Sequence, residues 1–560
     1  MTWQENWQKW SVASENDAAL QKQMTELSDY ESRRDHFYRY LEFGTGGMRG
    51  ELGCGTNRIN TYMIRWVTSG VAANIVQQGR QADGVAIAYD SRHFSAAFAL
   101  EAALVLGAAG IKVYLSDTLR PTPELSFMVR EWRAAAGIVI TASHNPAEYN
   151  GFKVYGSDGC QITLDDAAKI TAYLAATEDL FAIPVAKESA LVDAGLLVRL
   201  GVNADEAYLK QVRVVTQNPE LVKTQGSQLK IVYTPLHGTG EVLVTKSLAQ
   251  AGFSDVSVVA EQGIPDGAFP TISSPNPEDH AAFAMAIEAS NDADILMATD
   301  PDADRIGVAV KNEAGRYQIL TGNQLGALLL HYLVKQPHLP ANSALIKTIV
   351  TSDLGEKIAS KYGVKTYNTL TGFKFIGEKI AEWEMSGEAK FLFGYEESYG
   401  YLVAPFVRDK DAVQAALLTA EVALFYKLQG KTLYEAMEAI YQEFGYYSES
   451  LHTITAKGEQ GVARIQAIME NLRTDAMPNL ALASKEDYLF GLATCLTTGK
   501  EEKMRLPISN VLKFYLEDGS WFCVRPSGTE PTCKFYFSGK GKTREQAMSA
   551  LQTLEKIVLA

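Results

Sequence analysis

Three times along the chain a short apolar run, set between helical stretches, gives way to a polar loop, and this repeat limits the fold more than any other feature. In the first stretch Val85–Tyr89 ends in Asp90-Ser91-Arg92-His93, a helical segment begins near Ala96, and Gly137-Ile138-Val139-Ile140 runs into Thr141-Ala142-Ser143-His144-Asn145-Pro146. In the second, Leu229–Tyr233 precedes Pro235-Leu236-His237-Gly238-Thr239-Gly240, and Ile295–Ala298 runs into Thr299-Asp300-Pro301-Asp302-Ala303-Asp304-Arg305. The third passes from 344–350 through Tyr362–Tyr367 to Phe391-Leu392-Phe393, with Gly394–Gly400 read as the loop beyond. Short apolar strands between helices belong to buried, largely parallel sheets, whose ligands bind beyond the strand C-termini. The three loops are therefore expected at equivalent mouths of three similar α/β domains with mixed sheets.

From about Tyr446 the texture changes. Val511–Glu517 and Trp521–Val524 flank Asp518-Gly519, a hairpin signal, and Lys534–Phe537 alternates like another strand. Thr543-Arg544-Glu545-Gln546 resembles a capping box opening a last helix, so a smaller α+β domain is expected here. Residues 1 to about 42 read as a helical extension, with Trp3, Trp7 and Trp10 as packing residues at helical spacing. The expected domains are 1–205, comprising the extension and domain I, then 206–318, 319–445 and 446–560. That count suits 560 residues at roughly 150 per domain.

The net charge of −14 repels a phosphate backbone and argues against nucleic-acid and anionic-membrane partners, so an anionic substrate needs a locally basic pocket. The longest apolar stretches, such as Ala102–Ile111 and Leu325–Val334, fall short of the ~18 to 20 residues that span a bilayer. The start MTWQENWQKW has no apolar core or cleavage site, and five cysteines (Cys54, Cys160, Cys495, Cys523, Cys533) form no CxxC. A soluble, cytoplasmic protein with reduced thiols used for packing is expected.

Asp300, Asp302 and Asp304, read as alternating on a short extended segment, project to one side and suit one hard divalent cation such as Mg²⁺; a solvated acidic turn is the other reading. An EF-hand is excluded, because Arg305 stands where the loop glycine belongs and Lys311 where the last glutamate belongs. Ser143 sits in a turn closed by Pro146. It reads either as a turn residue or as a carrier of a transferable phosphoryl group, since that chemistry rests on positioning and charge neutralisation. Arg525-Pro526-Ser527-Gly528-Thr529-Glu530-Pro531 can wrap a phosphate with backbone N–H groups and a guanidinium, or serve as an ordinary connection. No GxxxxGK[ST] appears and no GxG extends to a dinucleotide fingerprint.

Taken together, TASHNP (141–146), DPDADR (300–305), YEES (395–398) and RPSGTEP (525–531) resemble the α-D-phosphohexomutase superfamily, in the order the family has them. Phe43–Gly50 (FGTGGMRG), Pro121-Thr122-Pro123, Pro265-Asp266-Gly267 with Phe269-Pro270-Thr271, and Thr371-Gly372-Phe373-Lys374 extend the resemblance over nearly the whole chain. The long N-terminus and the GTGGMRG form are similar to the branch of long phosphoglucomutases and phosphopentomutases. The resemblance implies four domains around a central cleft and a phosphoserine at Ser143, with Mg²⁺ held by that group and by Asp300, Asp302 and Asp304. It implies His144 beside the phosphoserine, Lys410 in proton transfer, Glu396 and Ser398 reading sugar hydroxyls, and Arg525, Ser527, Gly528 and Thr529 clamping a distal phosphate. Arg49, Arg305, Thr371, Gly372 and Lys374 join the implied substrate-binding set. The activity implied is interconversion of α-D-glucose 1-phosphate and D-glucose 6-phosphate through glucose 1,6-bisphosphate, which also primes the enzyme; mannose and pentose phosphates are the alternative substrates.

Overall fold

Strands that are apolar on both faces need helices on both, and the first sheet is built that way. The structure, a computed structural model, describes residues 2–44, 46–455, 458–474, 477, 479–526 and 532–559. These form two compact units, Met1–Gly322 with Phe373–Thr432, and Asn323–Gly372 with Leu433–Ala560.

In the first unit β1 (Met48–Glu51), β2 (Val85–Tyr89), β3 (Val113–Ser116), β4 (Ala136–Ile140), β5 (Tyr149–Gly156) and β6 (Leu197–Leu200) stand in the order β1-β5-β4-β2-β3-β6. The four strands from β4 to β6 are parallel, while β5 and β1 close one side antiparallel. Val85, Ile87 and Ile138 face a core shared with Val67, Val71, Phe98 and Leu106. Ala86, Ala88 and Val139 face the other way, onto Leu125, Met128 and Val129. Each buried Val, Ile, Leu, Met or Phe among them contributes roughly 1.5–3 kcal/mol. The N-terminal helices Trp3–Ser14, Ala18–Glu26 and Tyr30–Phe37 pack on the first of these cores. Thr2 and Glu5 form a reciprocal capping box, and Trp10 meets Phe37, Tyr62 and Phe181 edge-on.

The second sheet comprises β7 (Ile231–Thr234), β8 (Val256–Val258), β9 (Ile295–Thr299), β10 (Ile306–Lys311) and β11 (Tyr317–Ile319), ordered β11-β10-β9-β7-β8. Its β7, β8 and β9 are parallel, and β10 returns from β9 as a hairpin. Lys390–Glu396 and Gly400–Leu402 form an antiparallel pair in the same unit, with Glu396 opposite Gly400. The apolar strand therefore continues through Gly394–Glu396, where the sequence suggested that the loop had begun. The helix Ala412–Lys427 is apolar on nearly every side because it is buried on nearly every side.

In the second unit Ser343–Thr348 pairs in parallel with Lys365–Thr369. A seven-stranded antiparallel sheet runs in the order Tyr446–Thr455, Thr532–Gly541, Trp521–Pro526, Leu512–Leu516, Leu482–Asp487, Leu492–Cys495, Glu501–Lys503. Gly519 takes φ +85° in the Asp518-Gly519 hairpin, as that turn requires. At the last helix, Arg544–Val558, Thr543 caps the Gln546 N–H, but the Gln546 side chain accepts from Lys542 N–H, so the box expected there closes one residue early. The five thiols are free; four are buried, and Cys495 is partly buried beside Thr497. Among the described residues no helix is long and apolar enough to cross a membrane.

Candidate active site

Strand register places the first loop. Tyr89 of β2 pairs with Ile140 of β4, so Asp90–His93 and Thr141–Pro146 leave the sheet side by side, and Lys153 on β5 stands opposite Val139. Ser143 takes φ +54°, in the left-handed region. It is 3% exposed, and its Oγ donates to Asp300 Oδ2 at 2.6 Å, with His144 Nδ1 3.3 Å away.

The three carboxylates converge through a turn, which corrects the extended segment expected from their spacing. Thr299 pairs with Ile306, and between them the chain turns through Ala303 at φ +49°, whose N–H bonds Asp300 O at 2.9 Å. On an extended strand, side chains two apart would stand roughly 7 Å from one another. Here one oxygen from each of Asp300, Asp302 and Asp304 lies within 4.8 Å of the others, all three residues being buried. Asp300 Oδ1 closes the turn by accepting from Asp304 N (3.1 Å) and Arg305 N (3.0 Å).

Two ammonium groups balance this charge. Lys153 Nζ lies 2.7 Å from Asp302 Oδ2 and 3.4 Å from Asp304 Oδ2. Lys410 Nζ lies 3.1 Å from Asp304 Oδ2 and 3.0 Å from Asp409 Oδ1. Gly400 is required beside it, since a Cβ there would come within 2.3 Å of the Lys410 side chain. Burial alone would depress both lysines, but the Asp302, Asp304 and Asp409 carboxylates reverse this and keep them protonated. Burial and the other two carboxylates push Asp300 up, while Asp302, equally buried, is held below the usual carboxylate range by Lys153. His144 is driven down by burial and by Arg305 and Arg49, leaving a neutral imidazole.

The donor set fits a hard divalent cation. Asp302 Oδ1 and Asp304 Oδ1 are buried with no hydrogen-bond partner among the described residues, a costly condition that a cation would relieve.

Arg49 Nη1 donates to Asn145 Oδ1 at 3.0 Å, and Arg305 Nη1 to Glu278 Oε1 at 3.0 Å. Glu396 is buried at its strand end, Ser398 follows in the half-buried connection, and Lys374 lies 4.6 Å over the Phe375 ring. All of these belong to the first unit. Thr371 and Gly372, the latter at φ +120°, belong to the second, as does Arg525, which pairs with Lys534 and whose Nε is buried without a partner among the described residues. Ser527, Gly528 and Thr529 lie outside the described residues.

Three contributors escaped the sequence reading. Lys153 is one; its signal was a lone cation inside the strand YNGFKVYG. Thr122, in Pro121-Thr122-Pro123, binds Asp302 twice, through N–H to Asp302 O at 2.9 Å and through Oγ1 to Oδ2 at 2.7 Å. Arg92 is the third, buried beside the serine turn with its guanidinium on Ser143 O.

A buried hydroxyl against three clustered carboxylates, with fixed ammonium groups beside them, has the parts that phosphoryl transfer needs: an acceptor oxygen, a place for a divalent cation and compensating charge. Four successive segments match the phosphoglucomutase/phosphomannomutase family, residues 40–180 its α/β/α domain I, 206–315 domain II, 321–444 domain III and 455–552 its C-terminal domain. The chain belongs to that family. It is 39% identical over 533 residues to a phosphoglucomutase of Staphylococcus epidermidis, covering 93% of this chain and 95% of that protein. To a phosphoglucomutase of Staphylococcus aureus it is 38% identical over 530 residues, covering 93% and 94%. The fold is shared with the open form of parafusin, a phosphoglucomutase of Paramecium, at TM-score 0.69 and 18% identity over 92% of this chain and 94% of that one.

Proposed function

We propose that the protein is a phosphoglucomutase, an isomerase that reversibly interconverts α-D-glucose 1-phosphate and D-glucose 6-phosphate. Full-length likeness to phosphoglucomutases at 38–39% identity supports the substrate, together with the hexose-type Glu396-Glu397-Ser398. The observation that carries the chemistry is the 2.6 Å contact between Ser143 Oγ and Asp300. It joins the serine loop of one sheet to the carboxylate loop of another.

In this reading Ser143 carries a phosphoryl group in the resting enzyme. The Oγ–P bond breaks as the free sugar hydroxyl forms a new O–P bond, giving glucose 1,6-bisphosphate, and the other phosphate then returns to Ser143. Oγ must take up a proton as it leaves phosphorus and lose it again when the other phosphate returns; the neutral imidazole of His144, 3.3 Å from Oγ, is suitably placed to accept that serine proton and to give it back. Lys153 and Lys410 hold positive charge against the carboxylates, and Lys410, protonated there, would donate to the sugar oxygen released when the phosphate returns to Ser143 and take that proton back from the sugar hydroxyl in the opposite step. Asp300, Asp302, Asp304 and the phosphoserine would hold Mg²⁺, which supplies charge neutralisation of the transferring phosphoryl oxygens. Arg49, Arg305, Thr371, Gly372 and Lys374 belong to substrate binding, Glu396 and Ser398 to the sugar hydroxyls, and Arg525, Ser527, Gly528 and Thr529 to the phosphate that is not reacting. Division into domains 1–205, 206–318, 319–445 and 446–560, a bisphosphate primer and a cytoplasmic location complete the proposal, the last supported by the unpaired thiols.

The test is catalytic efficiency on glucose, mannose, ribose and deoxyribose 1-phosphates with bisphosphate primer and Mg²⁺. Glucose 1-phosphate should lead; preference for another sugar, or net release of inorganic phosphate, would overturn the assignment.

A further inference from the structure

Arg92 is buried to 3% exposure at the C-terminal end of β2, and its guanidinium is spent almost entirely on one neighbouring segment. Nη2 donates to Ser143 O at 2.6 Å and to Asn145 O, while Nη1 donates to Pro146 O at 2.7 Å and Tyr149 O at 3.1 Å. Asp90 pairs with Nε at 3.3 Å and accepts from Arg92 N–H (2.9 Å) and Ser95 Oγ (2.8 Å). The Phe269 ring lies 4.9 Å from the guanidinium carbon. Phe269 belongs to the Pro265–Thr271 loop of the second sheet, a motif with no role in the reading above. Gly267 in that loop touches the backbone beside Arg92 so closely that a Cβ would come within 2.4 Å of His93 N.

We infer that Arg92 is a positioning residue for Ser143, held in turn by Phe269. A serine at φ +54° occupies a strained region that persists only where its surroundings over-determine it. Four carbonyls gathered on one planar guanidinium provide that determination, because they fix the backbone from Ser143 to Tyr149 as a single rigid turn. Ser143 Oγ then has one direction, toward Asp300. The phenylalanine face explains the second motif: it registers the serine turn to the sheet that carries the carboxylates, so donor oxygen and metal loop are set by one contact chain. Lysine cannot substitute, since an ammonium offers three donors from a point and no plane to stack.

The inference rests on the phosphoglucomutase reading only for its kinetic test. Transfer to a sugar hydroxyl demands alignment at Ser143, whereas water attacks from several directions. Arg92→Lys should therefore lower the ratio of phosphoryl transfer to glucose 1-phosphate over release as inorganic phosphate by at least about tenfold. A loss of folded molecules leaves that ratio unchanged. In a crystal structure of full-length Arg92→Lys, Ser143 should leave the left-handed region and its Oγ should lose Asp300. If Arg92→Lys does not fold, Phe269→Leu carries both readouts, with an expected ratio loss of roughly three- to tenfold. A ratio within twofold of the parent, or Ser143 still at φ near +54° on Asp300, overturns the inference. A parent that transfers nothing to glucose 1-phosphate overturns the function instead, and the crystal structure then decides on Arg92.

Discussion

Lys153 reaches Asp302 at 2.7 Å from the strand that returns beside Ser143, so one lysine connects the serine loop's own sheet to the carboxylate turn. Three carboxylates buried together are tolerable without a cation only because such ammonium groups accompany them.

Lys153→Met should accordingly destabilise the metal-free enzyme by about 3–5 kcal/mol, the scale for stranding a buried charge. Denaturant unfolding in chelator and in Mg²⁺ checks this: the deficit should shrink with Mg²⁺. Equal stability of parent and variant in chelator would count against the pairing.

Ser143→Ala removes the only hydroxyl held against Asp300 among the described residues. Turnover should drop by at least about a thousandfold, and intact-protein mass spectrometry should find one labile phosphate in the parent and none in the variant.

Asp302→Asn preserves volume and its Thr122 contacts while removing one anionic ligand. Mg²⁺ affinity should fall by about tenfold or more with the fold intact, as measured by calorimetric titration. Unchanged affinity would make the acidic turn structural.

Arg525→Ala should raise KM and lower kcat together, for a total of about 2–4 kcal/mol in kcat/KM, because a remote phosphate anchor both binds and orients. Phosphorylation of Ser143 should persist. Full catalytic efficiency in this variant would remove the C-terminal domain from substrate binding.

Glu449, in the second unit, has Oε1 buried without a partner among the described residues, and burial with the nearby Asp353 pushes its carboxyl up to about 7 from 4.5. The unfolded chain loses this proton near pH 4.5 and the folded chain only near 7, so folding takes up a proton between those values. This group's contribution to stability is therefore fully present below about 4.5 and declines as pH rises to about 7, by at most about 3 kcal/mol. Glu449→Gln should flatten that decline in denaturant midpoints measured from pH 4.5 to 7. An unchanged slope would place the titration elsewhere.

What the sequence made legible was whatever local pattern determines. Apolar runs such as Val85–Tyr89 and Gly137–Ile140 became parallel strands, and the loops after them carry Arg92 and Ser143. The Asp-x-Asp-x-Asp spacing named the right residues with the wrong geometry, because convergence depends on Ala303 turning left-handed, and alanine carries no mark of that. Lys153 and Thr122 were hidden for a different reason. Each lies far along the chain from Asp302, and only strand register and packing between sheets bring them to it. Ser527–Thr529 remain a sequence-level assignment.

The left-handed backbone at Ser143 also narrows which amino acids could fill the phosphoryl-carrying role proposed for it. Glycine and asparagine suit the conformation but offer no hydroxyl. Threonine has the hydroxyl, yet its branched Cβ is a steric outlier at φ near +54°. Tyrosine would carry its oxygen past the carboxylate turn. Of the three hydroxyl amino acids the fold leaves this position to one, so the usual interchange of serine and threonine as phosphate carriers is closed here by backbone geometry before any question of reactivity arises.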